Sequence, residues 1–170
     1  TIIQAATATI ANNAATWSAS LDLSASGRNA DSPQIGVSSD GTKAVAVWRR
    51  YDGSNTIIQA ATATIANNAA TWSVLSVDLS ASGKDAAEPQ IGVSSDGTKA
   101  VAVWRRYDGS NYVVQAKTAT IASNVATWSA SVDLSASGGN AAQPQIAVSS
   151  DGTKAVAVWY RYDGSNTIVQ

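Results

Sequence analysis

One run recurs three times and carries the residue types best suited to ligand chemistry: Trp48-Arg49-Arg50-Tyr51, Trp104-Arg105-Arg106-Tyr107 and Trp159-Tyr160-Arg161-Tyr162. Aromatic faces stack on sugars and cations, and a guanidinium can grip a carboxylate through two parallel N–H donors. The candidate ligand-binding residues are therefore Trp48, Arg50, Tyr51, Trp104, Arg106, Tyr107, Trp159, Arg161 and Tyr162. A packing reading stands beside this one. In it the tryptophans fill the space between wedge-shaped sheets and the arginines pair with neighbouring turns.

The carboxylates are as regular. Asp40, Asp96 and Asp151, with Asp52, Asp108 and Asp163, each precede a glycine, the pairing that forms a tight hairpin turn, with calcium binding as the alternative. Asp22, Asp78 and Asp133 are expected to cap the loop that follows each of them. A glycosidase needs two carboxylates flanking one substrate, whereas these are identical and separated, and Glu88 is the only Glu. With neither His nor Cys there is no thiolate or imidazole metal site and no disulfide. The expectation is a protein that is not an enzyme and needs no cofactor or metal.

A formal net charge of −1 gives no electrostatic footprint for nucleic acid or an anionic membrane, and polar residues interrupt every apolar run well before it could span a bilayer. Neither is expected as a partner. The apolar residues are mostly Ala, Val, Ile and Trp, with no Phe or Met, a bias toward side chains that suit a stacked sheet.

The elements that position the recurring run follow from the repeat. Pro33–Asn55 returns unchanged at Pro89–Asn111 and with two differences at Pro144–Asn166, where Gly36 and Gly92 give way to Ala147 and Arg49 and Arg105 to Tyr160. Trp17, Trp72 and Trp128 repeat at intervals of 55 and 56 residues, which divides one segment, 1–170, into units 1–55, 56–111 and 112–166, with 167–170 beginning a fourth. Each unit reads as four strands: TIIQAATATI (1–10), TWSASLDLS (16–24), a short strand over 34–37 after Pro33, and 43–51. Asn12–Ala15, Ser39–Thr42 and Asp52–Asn55 supply turns, and 25–32 a loop. Along 43–51 both faces are apolar, which implies burial on both sides. The fold class is therefore all-β: a β-propeller of four-stranded antiparallel blades, three blade-equivalents per chain. A β-helix would need a shorter period, and helical solenoids need helices.

The segment VSSDGTKAVAVWRRYDGSN resembles the core of TolB-like and related WD40-like bacterial propeller repeats. The longer pattern through QAA, TWS, DLSASG and PQI is similar to blades of repeat-rich bacterial surface proteins and covers the whole chain. The resemblance implies a propeller and a secreted or cell-surface bacterial origin; its members include interaction proteins, lectins and enzymes. The SSDG turn is also similar to the Asp-box of sialidase propellers, but TKAVAVW stands where Thr-Trp should follow, and no sialidase activity is carried over.

Strands alternate in direction, so the 52–55 turns and the 25–32 loops share one rim, which gathers the charged residues and most differences between units. A glycan or protein ligand is expected there. The alternative is an engineered or excised repeat fragment that self-assembles with no selected ligand. Three further expectations concern assembly. The blade is out of phase with the repeat, so that 1–24 completes the blade begun by 144–162 of a partner chain. Two chains then close a six-bladed homodimer, or three a nine-bladed homotrimer, with 167–170 competing against 1–4 for one strand position. The extra residue of unit two, between Trp72 and Asp78, produces a β-bulge near Val74-Leu75-Ser76 on the outermost strand.

Overall fold

A computed structural model describes residues 1–170, which form strands and turns and no helix. The N-terminal part contains β1 (Gln4–Ala5), β2 (Ala8–Ala11), β3 (Ala14–Trp17) and β4 (Leu21–Asp22), paired antiparallel as β1 with β4 and β2 with β3. Asn12 and Asn13, both at positive φ, join β2 to β3 in the two-residue loop whose twist suits a hairpin.

A full sheet follows. It consists of β5 (Ala30–Val37), β6 (Lys43–Tyr51), β7 (Thr56–Ala66) and β8 (Ala69–Trp72) side by side, with β9 (Val77–Asp78) continuing the outermost position against β7. A second copies it with β10 (Ala86–Val93), β11 (Lys99–Tyr107), β12 (Tyr112–Ala122), β13 (Val125–Trp128) and β14 (Val132–Asp133). The third is shorter: β15 (Ala141–Val148), β16 (Ala155–Tyr162) and β17 (Thr167–Val169). Each of these three sheets thus joins strands from the two sides of a sequence-unit boundary.

Three strand readings need correction. The strand before the SSDG turn starts at Ala30, not at Gln34, because a bulge with Ser32 at φ 52° lets Asp31 pair with Arg49 and Gln34 with Val47. Glu88 and Gln143 take the same left-handed conformation in the other sheets. The outermost strand is broken after the tryptophan in every unit. In unit two the extra residue lengthens this break, over Ser73–Ser76, rather than making a bulge in a continuous strand, and it leaves the Val74 side chain 98% exposed. Pairing resumes at Val77 with Ala60, the register that Val132 and Ala116 keep in unit three.

The sheets stack face to face, with β10 packed against both β5 and β15, so the second sheet lies between the other two in an open series. Along the innermost strands the approach is so close that a Cβ on Gly36 would stand 2.5 Å from Val93 Cγ2, and one on Gly92 2.6 Å from Val148 Cγ2. The turns at this end link directly: the Ser39 amide donates to the Ser95 carbonyl and the Ser95 amide to the Ser150 carbonyl, each at 2.8 Å. Farther out, Thr7 Oγ1 donates to the Asn68 carbonyl at 2.8 Å, and Thr62 Oγ1 repeats this with Asn124 at 2.6 Å. The central strands β6 and β11 are buried on both faces, as their patterns require. On β16 one face alone is partly covered, and its outer half has no partner beyond β17.

Candidate functional site

Alternation along β6 puts Trp48 and Arg50 on one face and Arg49 and Tyr51 on the other, so the run is divided between two intersheet spaces and forms no single pocket. Trp48 is fully buried with Ile3, Ala30, Ala46 and Ala61, and Leu23 and Trp72 pack around them. Trp104 is fully buried with Val47, Ile58, Leu79, Ala86 and Ala102. These two side chains are core. Neither presents an indole face to solvent, so neither is placed to stack on a ligand in this chain. Trp159 is the exception: it is partly exposed and borders a cleft of about 710 Å³ with Val132, Leu134 and Ile146.

Arg50, Arg106 and Arg161 are half-buried and form no ion pair, and their Nε atoms have no protein acceptor. Tyr51 and Tyr162 are exposed, with hydroxyls donating to the Gly53 and Gly164 carbonyls at 2.8 and 2.9 Å. Tyr107 is half-buried, its ring 5.4 Å from that of Tyr112.

The charged geometry lies at a residue the sequence reading left out of the site. Arg49 donates from Nε and Nη2 to the two oxygens of Asp31, both at 2.7 Å. This fork holds the Asp31 carboxyl below the usual carboxylate range, against the opposing effect of partial burial. In unit two Arg105 pairs at 3.2 Å with Glu88, one residue further along the bulge, and Glu88 Oε2 also accepts from the Gln143 amide at 2.7 Å. In unit three Tyr160 replaces the arginine, and Ala142-Gln143 supplies no acid. The signal was present in the sequence: the acid exists in the two units that have the arginine and is missing from the third.

The rim around these pairs is built from the loops. Asp85 accepts from the Thr56 amide at 2.8 Å and its hydroxyl at 3.0 Å, and the amide bond is the main reason the Asp85 carboxyl titrates low. Asn140 accepts from the Tyr112 amide at 2.9 Å in the same way. Between Asn29, Asp31, Arg49, Tyr51 and Thr56 lies a cavity of about 230 Å³. At the strand position that matches Thr56 the second full sheet carries Tyr112, and the Arg105 guanidinium lies 4.5 Å from the centroid of its ring.

The remaining carboxylates are structural. Asp40 Oδ1 accepts from Ser38 Oγ, the Thr42 amide and Thr42 Oγ1 at 2.6, 3.0 and 2.8 Å, which lowers its pKa to about 2. Asp52 accepts the amides of Ser54 and Asn55 within its own turn. Asp22, Asp78 and Asp133 do not cap the following loop. They accept from Gln4, Gln59 and Gln115 directly across the strand pair, at 2.7, 2.7 and 2.6 Å, because β4, β9 and β14 place them there. The loop is tied down instead by Ser24, Ser80 and Ser135, whose hydroxyls accept the amides of Ile3, Ile58 and Val114. No three acidic side chains converge on a point that could hold a metal ion.

Compared with protein-family models, with characterised proteins and with solved structures, the chain shows no match.

Proposed function

We propose that the stacked sheets are blades of a β-propeller and that the chain is a non-enzymatic binding or scaffold module. Its ligand, a glycan or a protein, engages the rim of the Asp52–Asn55 turns and their repeats. The observation that carries this reading is the equivalence of successive junctions. Thr7 with Asn68 and Thr62 with Asn124, and likewise Ser39 with Ser95 and Ser95 with Ser150, repeat one intersheet contact at shifted positions. A repeated rigid junction between antiparallel sheets generates an arc, and typically about four to eight sheets complete the circle. The invariant framework and the variable rim divide the labour of support and recognition.

The arc has complementary ends. The N-terminal strands β1–β4 form the outer part of a sheet that has no inner strands, while β15 and β16 are inner strands with little outside them. A second copy supplies the missing part at each end, which gives six blades from two chains. Thr167–Val169 already pairs with Tyr160–Tyr162 in the register that Thr56–Ile58 uses against Arg49–Tyr51. Closure therefore displaces either this segment or Thr1–Gln4 of the incoming copy. Thr167–Gln170 is exposed throughout, whereas Ile3 is 6% exposed and bonded to Ser24, so the C-terminal segment gives way at lower cost.

Sedimentation equilibrium at micromolar concentration tests the assembly: a two-chain mass is expected, and a monomer at all concentrations refutes closure. A glycan array, followed by titration of the Arg50→Ala and Arg106→Ala variants, tests recognition. A second reading, a self-assembling repeat fragment with no ligand, is favoured by the complete burial of Trp48 and Trp104, which packing alone explains. Absence of saturable binding across the array and against candidate proteins selects it.

A further inference from the structure

We infer that the cavity under Arg49 is a binding site for a planar aromatic ring. The inference rests on the reading of this rim as a recognition surface and names the chemistry of one site on it. The first two full sheets supply the comparison, since their backbones coincide in pairing: Tyr51 faces Thr56 across the hairpin as Tyr107 faces Tyr112. Both first strand residues are anchored alike, the Thr56 amide on Asp85 and the Tyr112 amide on Asn140. In the second full sheet the chain places its own phenol ring beside Arg105 and Tyr107, 4.5 Å from the guanidinium carbon and 5.4 Å from the neighbouring ring centroid. At the matching position of the first full sheet a threonine stands, and Asn29, Asp31, Arg49, Tyr51 and Thr56 line a cavity of about 230 Å³, with Asp31 rather than a glutamate as the partner of the arginine.

The walls of this cavity are preorganised. Arg49 is held flat by two 2.7 Å bonds to Asp31, which leaves the face of the guanidinium as a platform, and the Tyr51 hydroxyl is fixed on the Gly53 carbonyl. A guanidinium already paired in its own plane recognises an incoming group through its face, by cation–π attraction. Tyr112 is thus an internal copy of the ligand: the rim of the second full sheet is closed by the chain's own ring, and that of the first accepts a ring from outside. Unit three lacks the arginine and offers no such platform.

The test is a ¹⁵N–¹H NMR titration of the full chain with 4-methylphenol, the tyrosine side chain cut at Cβ, and with 4-methylcyclohexanol as the saturated comparator. Saturable shifts are expected at Tyr51, Thr56 and Arg49 Nε, with affinity for the phenol at least several-fold above the alcohol. Thr56→Tyr should weaken binding tenfold or more by closing the cavity from within. Tyr112→Thr should add a second set of shifts at Arg105 and Tyr107. Because each variant installs a residue that another unit already carries at that position, spectral dispersion reports folding independently. No saturable shift in the unmodified protein, equal affinity for both probes, or binding that survives Thr56→Tyr overturns the inference. Saturable binding of a glycan or protein at the rim of a protein that shows no saturable shift with 4-methylphenol would leave the rim reading standing while removing the ring site.

Discussion

Replacing the same residue at equivalent positions of three near-identical units separates the effect of sheet stacking from that of local sequence. Trp104 has zero exposure and fills the space between the first two full sheets against Val47, Ile58, Leu79 and Ala102. Removing such a side chain costs the transfer term plus a cavity, about 3–5 kcal/mol for Trp→Ala. Trp159 sits in the same strand context but borders an open cleft, since its sheet consists of β15, β16 and β17 alone and has no counterpart of β8 or β13. With part of its surface already solvated and no closed cavity left behind, Trp159→Ala should cost about half as much, roughly 1.5–2.5 kcal/mol. Urea unfolding followed by far-UV circular dichroism, at a concentration where sedimentation shows one chain, provides the measurement. With a slope of about 2 kcal/mol per molar urea, Trp104→Ala moves the midpoint down by about 2 M and Trp159→Ala by about 1 M. Since stacked repeats need not unfold in one step, amide exchange at Val103 and Val158 should localise each loss to its own sheet. Equal costs for the two substitutions in the single chain would refute the assignment of Trp104 as an intersheet filler and of Trp159 as its uncovered counterpart.

Two further outcomes follow from the turns and the innermost strands. Asp40 and Asp151 are lowered to about 2, and Asp96 is lowered too, each held first by the serine hydroxyl two residues before it. Because the folded pKa lies below the unfolded 3.8, the contribution to stability is complete above about pH 5 and is lost as pH falls toward 2; melting temperature between pH 7 and 2 checks this, and a flat profile below pH 4 contradicts it. Gly92→Ala forces a methyl against Val148 and should destabilise by about 1–3 kcal/mol, whereas Ala147→Gly, which faces no following sheet, should cost less than about 1 kcal/mol by chemical denaturation.

The all-β class and the hairpin turns were legible because they depend on local signals: Asp-Gly and Asn-Asn at turn positions, and an alternation that is apolar on both faces of 43–51. The joining of Lys43–Tyr51 to Thr56–Ala66 in one sheet, across a unit boundary, was legible too, since a four-residue turn separates them. What local signals could not show was the bulge at Ser32, where a non-glycine residue takes a positive φ and moves Asp31 into the strand beside Arg49. The ion pair depends on that shift, so the reading of the site selected Arg50 and passed over Arg49. Trp48 was ambiguous by nature. An indole that fills an intersheet gap and one that stacks on a sugar have the same sequence neighbours, and only the presence of Ile3 and Leu23 above it decides.

Ala147 gives the order of the units a physical meaning. Nearly identical repeats invite errors of succession during folding, in which one unit takes the place of another or a chain docks onto the wrong neighbour, since most contacts would be satisfied either way. Gly36 and Gly92 admit the valine of the sheet that follows them, and the methyl of Ala147 does not at the same spacing. One methyl group thus sets the third unit apart from the other two: at the spacing of the junctions at Gly36 and Gly92 it would meet a following valine, so a sheet stacked on that face must stand farther off or turn its valine aside.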